Sequence, residues 1–426
     1  MQQNQISSPH RLIPWVIWGV AALFFFSHYV VRVTPGIIID DLKLEFLNIT
    51  EVHIGLLGAS FYLPYILMQM PVGYLVDKFG PRLLLTIAVF LCGISSLLFA
   101  TASVFSMAIA SRVLLGFCSA TAFVGALKLT TIWFKPSQLA LVVGITQALG
   151  MAGASIGNGL VPYLIEWIGW QNAFGLYSAV FFVLSFLIFT IVRNRPKNDP
   201  QYSSSTDNPS QEKTLSQGSF KSVLTNRYTW ANALFAGLLY APTDVMGELW
   251  GKQFLKNIHQ ISAHQAELAI SLLFIGWAIG GPIAGWLADH FGRRPIMRVS
   301  SFLGLCLLPL IFYAPYLPIE LLICLTFLYG LTNTGLIASY AVAGELHSKS
   351  YAGFSLAIAN MFSVLVGAIL MPVLGWLITY HADGVVSQGI LQYSISDYQK
   401  ATLILPLCSL IAFLLTFCIK ETLIKE

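Results

Sequence analysis

Residues 73–82 read GYLVDKFGPR, and residues 285–294 read GWLADHFGRR. Each stretch sets two glycines and three Asp, Lys or Arg residues between two long apolar runs. The offset is 285 − 73 = 212, half of a 426-residue chain. A polar joint written twice at that spacing predicts two copies of one architecture. Within each joint, Gly73 and Gly285 are expected to let two helices approach closely. Asp77 and Asp289 are expected to start a sharp loop and cap the next helix. Gly80 and Gly292 supply the turn. Lys78, Arg82, Arg293 and Arg294 then sit at a charged surface, and the whole set is a candidate gating loop.

Working outward, the composition decides the solvent. The chain is 56% hydrophobic and only 10% charged, against about a quarter charged in soluble domains. Folding on itself cannot hide that much apolar surface, so the chain reads as a multi-pass membrane protein. Runs long enough to span lie near 13–38, 54–76, 83–102, 104–127, 138–165 and 172–192, and again near 229–250, 266–288, 296–315, 319–341, 352–380 and 401–419. The expected fold is therefore all-α, with twelve transmembrane helices in two pseudo-symmetric six-helix bundles. The halves are 1–192 and 228–426, and the polar, Ser- and Pro-rich linker is 193–227. The first segment has no small-residue cleavage site and is expected to be retained. If the N-terminus is cytoplasmic, sixteen of the 23 Lys and Arg lie in cytoplasmic loops, and only Lys43, Lys252, Lys256 and Lys400 face outward. That bias predicts both termini, the linker and both joints on the cytoplasmic side of a cell inner membrane. The six cysteines lie inside apolar runs without a C-x-x-C pair and read as packing residues.

Charges inside spans are costly and mark function. Arg32, Arg112, Asp244 and Glu248 stand out. Gly73 minus Arg32 is 41, and Gly285 minus Asp244 is also 41. A cation and an anion thus hold equivalent positions in the two halves and are expected to face each other across a central cavity. Glu248 lies one helical turn beyond Asp244, and Pro242 just before them can kink the seventh span. Arg32 could grip a carboxylate in a bidentate fork. Asp244 or Glu248 could hold an ammonium group or carry a coupled proton. A plain interhelical ion pair that closes a gate explains the same residues. Tyr29, Gln147, Tyr240, Asn333 and Asn360 complete the candidate substrate-binding set, with Tyr62, Tyr65, Gln69, Trp277 and Tyr340 as further polar or aromatic wall. Gln147 and Asn360 lie 74 and 75 residues after their joint glycines. Arg112 is a candidate for proton coupling or for bonding carbonyls between helices.

The joint G-x-L-[VA]-D-x-F-G-x-R resembles the signature loop of the major facilitator superfamily, and Arg112 in SRVLLGF (111–117) fits that superfamily's R-x-x-x-G pattern in the fourth helix. Pro81 departs from the usual basic residue, and span five lacks the G-P-x-x-G-G ending of drug/proton antiporters. HYVVRVTPGIIIDDL (28–42), MQMPVGYLVDKFGPR (68–82) and KLTTIWFKP (128–136) look like the branch of bacterial phagosomal nutrient transporters, associated with amino acids and, for some members, nucleosides. The resemblance implies a secondary transporter working by alternating access. The expected partners are protons, the lipid bilayer and a small zwitterion such as an amino acid, taken up by a monomer. Export of a siderophore or drug by proton antiport, nucleoside uptake, or a non-transporting receptor or scaffold are the alternatives. No Walker A or H-E-x-x-H sequence occurs. Neither an enzyme, a cofactor, a metal site nor a nucleic-acid surface is expected.

Overall fold

The computed structural model describes residues 12–46, 49–134, 136–194, 220–314, 317–347, 349–381, 386–387, 390–391 and 393–423. Most of the expected linker lies outside these residues, as does the side chain of Asp77. The first half runs α1 (Ile13–Ile37), α2 (Ile39–Glu45), α3 (Glu51–Phe79), α4 (Pro81–Ala100), α5 (Phe105–Trp133), α6 (Pro136–Gly159), α7 (Val161–Ile168) and α8 (Trp170–Ile191). The second runs α9 (Phe220–Thr225), α10 (Arg227–Val245), a π-helical turn (Met246–Trp250), α11 (Gly251–His259), α12 (Ala263–Phe291), α13 (Arg293–Tyr313), α14 (Ile319–Thr332), α15 (Leu336–Glu345), α16 (Lys349–His381), α17 (Ile395–Thr402) and α18 (Ile404–Leu415). A two-residue hairpin, β1 (Val386–Ser387) with β2 (Ile390–Leu391), precedes α17.

Among the described residues, eleven helices are long and apolar enough to cross a membrane. The helix over 227–259 falls short on composition, because Thr229, Asn232, Thr243, Asp244 and Glu248 interrupt it, yet all five side chains are buried. It is the seventh of twelve crossings. Its polarity faces protein rather than lipid, which is where polar groups in a bilayer must go. The outer surface instead exposes apolar side chains such as Phe186, Trp286, Phe302 and Leu407.

Packing repeats between the halves. In the first, α3 packs on α5, α4 on α8 and α1 on α6; in the second, α12 packs on α14, α13 on α18 and α10 on α16. The halves meet where α3 lies on α16, α6 on α12, and α1 on the π-helical turn.

The joints share one construction, which differs from the expected one. Asp77 and Asp289 do not start a loop: they lie inside the last turn of helices that run on to Phe79 and Phe291. A single glycine makes each turn, Gly80 at φ +77° and Gly292 at φ +110°, a region that favours glycine. The caps come from elsewhere. Asn194, just past α8, accepts from the Arg82 amide at 2.9 Å. Glu421, just past α18, accepts from the Arg293 and Arg294 amides at 3.0 Å each. Burial works against the Glu421 charge, but four backbone N–H groups outweigh it and hold the carboxyl below its ordinary range. The side chains of Arg82 and Arg294 are equivalent too. Arg82 donates to the Phe189 carbonyl at 2.9 and 2.7 Å, and Arg294 to those of Thr416 and Phe417 at 2.7 and 3.0 Å. Each arginine thus clamps the last carbonyls of its own half's final helix. Arg293 bridges Asp289 and Glu345, again within one half.

Gly73 and Gly285 also differ from expectation. A Cβ at Gly73 would meet nothing within 4 Å, and one at Gly285 only Ile337 of its own half, at 3.7 Å. No close helix approach occurs at either position.

Candidate functional site

Pro35 lies in the last turn of α1, close to Arg32, and Asp244 and Glu248 straddle the junction between α10 and the π-helical turn. These elements bring the three charges together with almost complete burial. Arg32 Nε donates to Glu248 Oε2 at 2.6 Å, and its Nη2 makes an ion contact with Glu248 Oε1. Nη2 also lies 3.5 Å from Asp244 Oδ1, at the limit of a hydrogen bond. The equivalence of Arg32 and Asp244 thus brought the right elements together, but Glu248 is the main partner. The reason is the π-helical turn, whose wider winding swings Glu248 onto α1.

Tyr62 completes the grip. Its hydroxyl accepts from Arg32 Nε at 3.2 Å and Nη2 at 2.9 Å, and gives its own hydrogen to no acceptor among the described residues. Four rings surround the guanidinium carbon: Tyr62 at 4.8 Å, Tyr29 at 4.9 Å, Phe61 at 5.5 Å and Tyr65 at 6.0 Å. Such rings stabilise a buried cation and crowd the space around it. Phe61 has no polar group to mark it in the sequence. Asp244 is held differently. Its Oδ2 has no hydrogen-bond partner among the described residues, and it faces α16 where only Gly367 leaves room: a Cβ there would lie 2.7 Å away. A buried, unpartnered carboxylate oxygen is costly as an anion; a proton on it removes that cost.

The remaining candidates divide. Tyr340 donates to Asn360 Oδ1 at 3.0 Å, and Asn360 donates to Gln69 Oε1 at 3.3 Å, a polar bridge between the halves. Tyr240 packs edge-on to Trp277 at 6.0 Å. Asn333 stands apart from the charges. It donates to the Leu239 carbonyl at 3.2 Å and to Tyr329, holding the break between α14 and α15. Gln147 is half-buried and makes no hydrogen bond among the described residues. Arg112 touches no carboxylate among the described residues. It sits 4.9 Å over Phe61 and donates to the Arg32 carbonyl at 3.2 Å. His28 bonds the Phe25 carbonyl at 2.8 Å.

Away from the joints, the opposite end of the bundle is shut by contacts the sequence did not reveal. A Cβ at Gly36 would fall 2.8 Å from the Glu248 carbonyl, one at Gly55 2.5 Å from Pro372, and one at Gly375 would overlap the Glu51 carbonyl. Around these close approaches run polar ties between the halves. Lys252 donates to the Ile37 carbonyl at 2.6 Å, Lys256 and Gln253 to Asp40 at 2.9 and 2.8 Å, and Tyr393 to Glu51. His264 lies between Glu166 and Glu267, 3.0 Å from each. Burial pushes the Asp40 carboxyl up, but its bonds to Lys256 and Gln253 outweigh this and hold it below the ordinary range. The site is therefore closed at this end, and Gln69 and Asn360 tie the halves on the side toward the joints. Sequence missed the ties at the closed end because they join loop and helix-end residues whose pairing depends on how the halves dock.

Comparison with known proteins gives the same architecture. The Major Facilitator Superfamily profile matches residues 17–251 and 249–420. The "Probable sulfoacetate transporter SauU" of Cupriavidus necator is 24% identical over 85% of this chain and 87% of its own length. The "Probable galactarate/D-glucarate transporter GudP" of Escherichia coli is 22% identical over 85% and 86%. Among solved structures, an inward-facing, occupied bacterial homologue of the human lysosomal transporter Spinster superposes with a TM-score of 0.78 at 14% identity, covering 97% of both chains. The nucleoside transporter NupG superposes with a TM-score of 0.74 at 14% identity, covering 96% of this chain and all of that one.

Proposed function

The chain belongs to the Major Facilitator Superfamily and is a membrane transporter, not an enzyme, and from that premise we propose that it takes up a small organic acid by proton-coupled alternating access. One observation carries the reading: a buried arginine, caged by four rings, joins the two halves through two carboxylates of the seventh crossing. An acid that takes Arg32 from these carboxylates removes a bond between the halves, so loading and rearrangement are linked. Asp244, whose contact with Arg32 is at the 3.5 Å limit of a hydrogen bond, is the proton carrier; Glu248, which takes the 2.6 Å bond from Arg32, is the counter-ion. The names of two relatives, "Probable sulfoacetate transporter" and "Probable galactarate/D-glucarate transporter", support an acidic solute. The Lys and Arg bias of the sequence supports a cytoplasmic side for the joints. The closed end then faces out of the cell, across the inner membrane, and a monomer suffices.

A zwitterion such as an amino acid remains the second reading, favoured by the free Asp244 oxygen as a seat for an ammonium group. Counterflow in proteoliposomes tests both. Exchange of labelled glucarate or sulfoacetate, accelerated by acid outside, supports the first reading. Exchange of alanine alone supports the second, and exchange of nucleosides alone overturns both.

A further inference from the structure

Resting on Arg32 as the anchor, we propose that the carboxylate of Glu248 occupies the seat of the solute's own carboxylate. Loading then exchanges one carboxylate for another, and the seat selects carboxylates over phosphate esters and sulfonates. Glu248 Oε2 takes a hydrogen bond from Arg32 Nε, and its Oε1 lies in ion contact with Nη2 without hydrogen-bond geometry, so Glu248 occupies without completing the Nε/Nη2 fork that suits a flat carboxylate. Tyr62 lies on that same edge with an uncommitted hydroxyl hydrogen, a third group for an incoming acid. A phosphate ester or sulfonate carries another oxygen out of the plane. The Tyr29 and Tyr62 rings crowd the space around the guanidinium, at 4.9 and 4.8 Å from its carbon.

The occupant also has a way out. Glu248 sits in the π-helical turn Met246–Trp250, a winding found mostly as single turns at functional sites. Dropping one residue of register to return to α winding would carry Glu248 about 100° round the helix and off Arg32. The same turn packs on α1, with Gly36 against the backbone of Glu248 and Leu249. Vacating the seat therefore also loosens the contact between halves at the closed end.

The purified full chain tests this. Unfolding midpoints of wild type, Glu248→Gln and Glu248→Ala are followed against acetate, methanesulfonate and methyl phosphate at constant ionic strength. Acetate should stabilise both variants with an apparent Kd at least about tenfold below that of wild type, since removing an internal competitor raises apparent affinity. The other two anions should not. Acetate affinity equal to or weaker than wild type overturns the proposal; that is the result if the acid binds beside Glu248, or if Glu248 serves an ammonium group. Methyl phosphate or methanesulfonate matching acetate overturns it too. If neither variant folds, modification of Arg32 by phenylglyoxal is measured on wild type. Protection by acetate alone supports the proposal; equal protection by the three anions, or none, overturns it. Because these measurements read occupancy rather than flux, their failure is distinct from failure of counterflow.

Discussion

At the scale of single residues, the site depends on geometry as much as on charge. Arg32→Lys keeps the cation but loses the Nε bond to Glu248 and the pair of bonds to Tyr62. Counterflow should fall at least about tenfold, equivalent to about 1.4 kcal/mol, with the fold retained by circular dichroism. Asp244→Asn should behave differently. With no proton to exchange, it should still catalyse equilibrium counterflow but lose accumulation driven by acid outside. Accumulation equal to wild type would assign the coupled proton elsewhere. Glu421 allows a sign check on stability. Its folded pKa is lowered, so its contribution is present above the ordinary carboxylate range and lost as pH falls through the lowered value. Glu421→Gln should flatten the acid limb of the unfolding midpoint against pH. Arg32 and Asp244 were legible because their spacing to the joint glycine is the same. The primacy of Glu248 was not, since no residue pattern in MGELW announces a π-helical turn. The cage was half legible: Tyr29, Tyr62 and Tyr65 showed as polar aromatics, Phe61 only as another apolar residue.

Among elements, glycines report which contacts belong to a half and which to a conformation. A Cβ at Gly116 would overlap the Phe61 carbonyl, between α5 and α3 of the same half. Gly116→Ala should therefore cost about 1–3 kcal/mol of stability, the usual penalty for overpacking, whichever end of the bundle is open. Gly375 abuts Glu51 across the halves. Gly375→Ala should leave each bundle intact and instead shift the population toward the state open at that end. Distances between spin labels on Leu44 and Gln260 would show it; an unchanged distance distribution with a lowered unfolding midpoint would make that contact a packing one only. The twelve crossings were legible from apolar runs of sufficient length, the seventh among them near 229–250, although its buried polar residues were not foreseen to leave it short of the others in hydropathy. The caps were not. Asn194 and Glu421 lie more than a hundred residues from the amides they accept, and local sequence pointed to Asp77 and Asp289 instead.

For the whole molecule, the ties of Asp40, Glu51, Lys252 and Lys256 shut one end, which the proposed alternating-access cycle must open. Asp40→Asn removes an acceptor shared by Lys256 and Gln253 and should lengthen the same Leu44–Gln260 label distance. Because the Asp40 pKa is lowered, this tie is present above the ordinary carboxylate range and is not released between pH 5 and 8. In that cycle the other end must close around Gly73, where a Cβ meets nothing here. Gly73→Leu should leave stability unchanged yet slow turnover, because the side chain obstructs that closure. The mirrored arginine clamps have one more consequence. Arg82 ties the first bundle to its own last helix and Arg294 does the same for the second, so neither clamp runs through residues 195–219, which lie outside those described. A chain cut within that stretch keeps both clamps. Two polypeptides made from separate messages, one ending and one beginning there, should find each other in the bilayer and restore transport as a split protein.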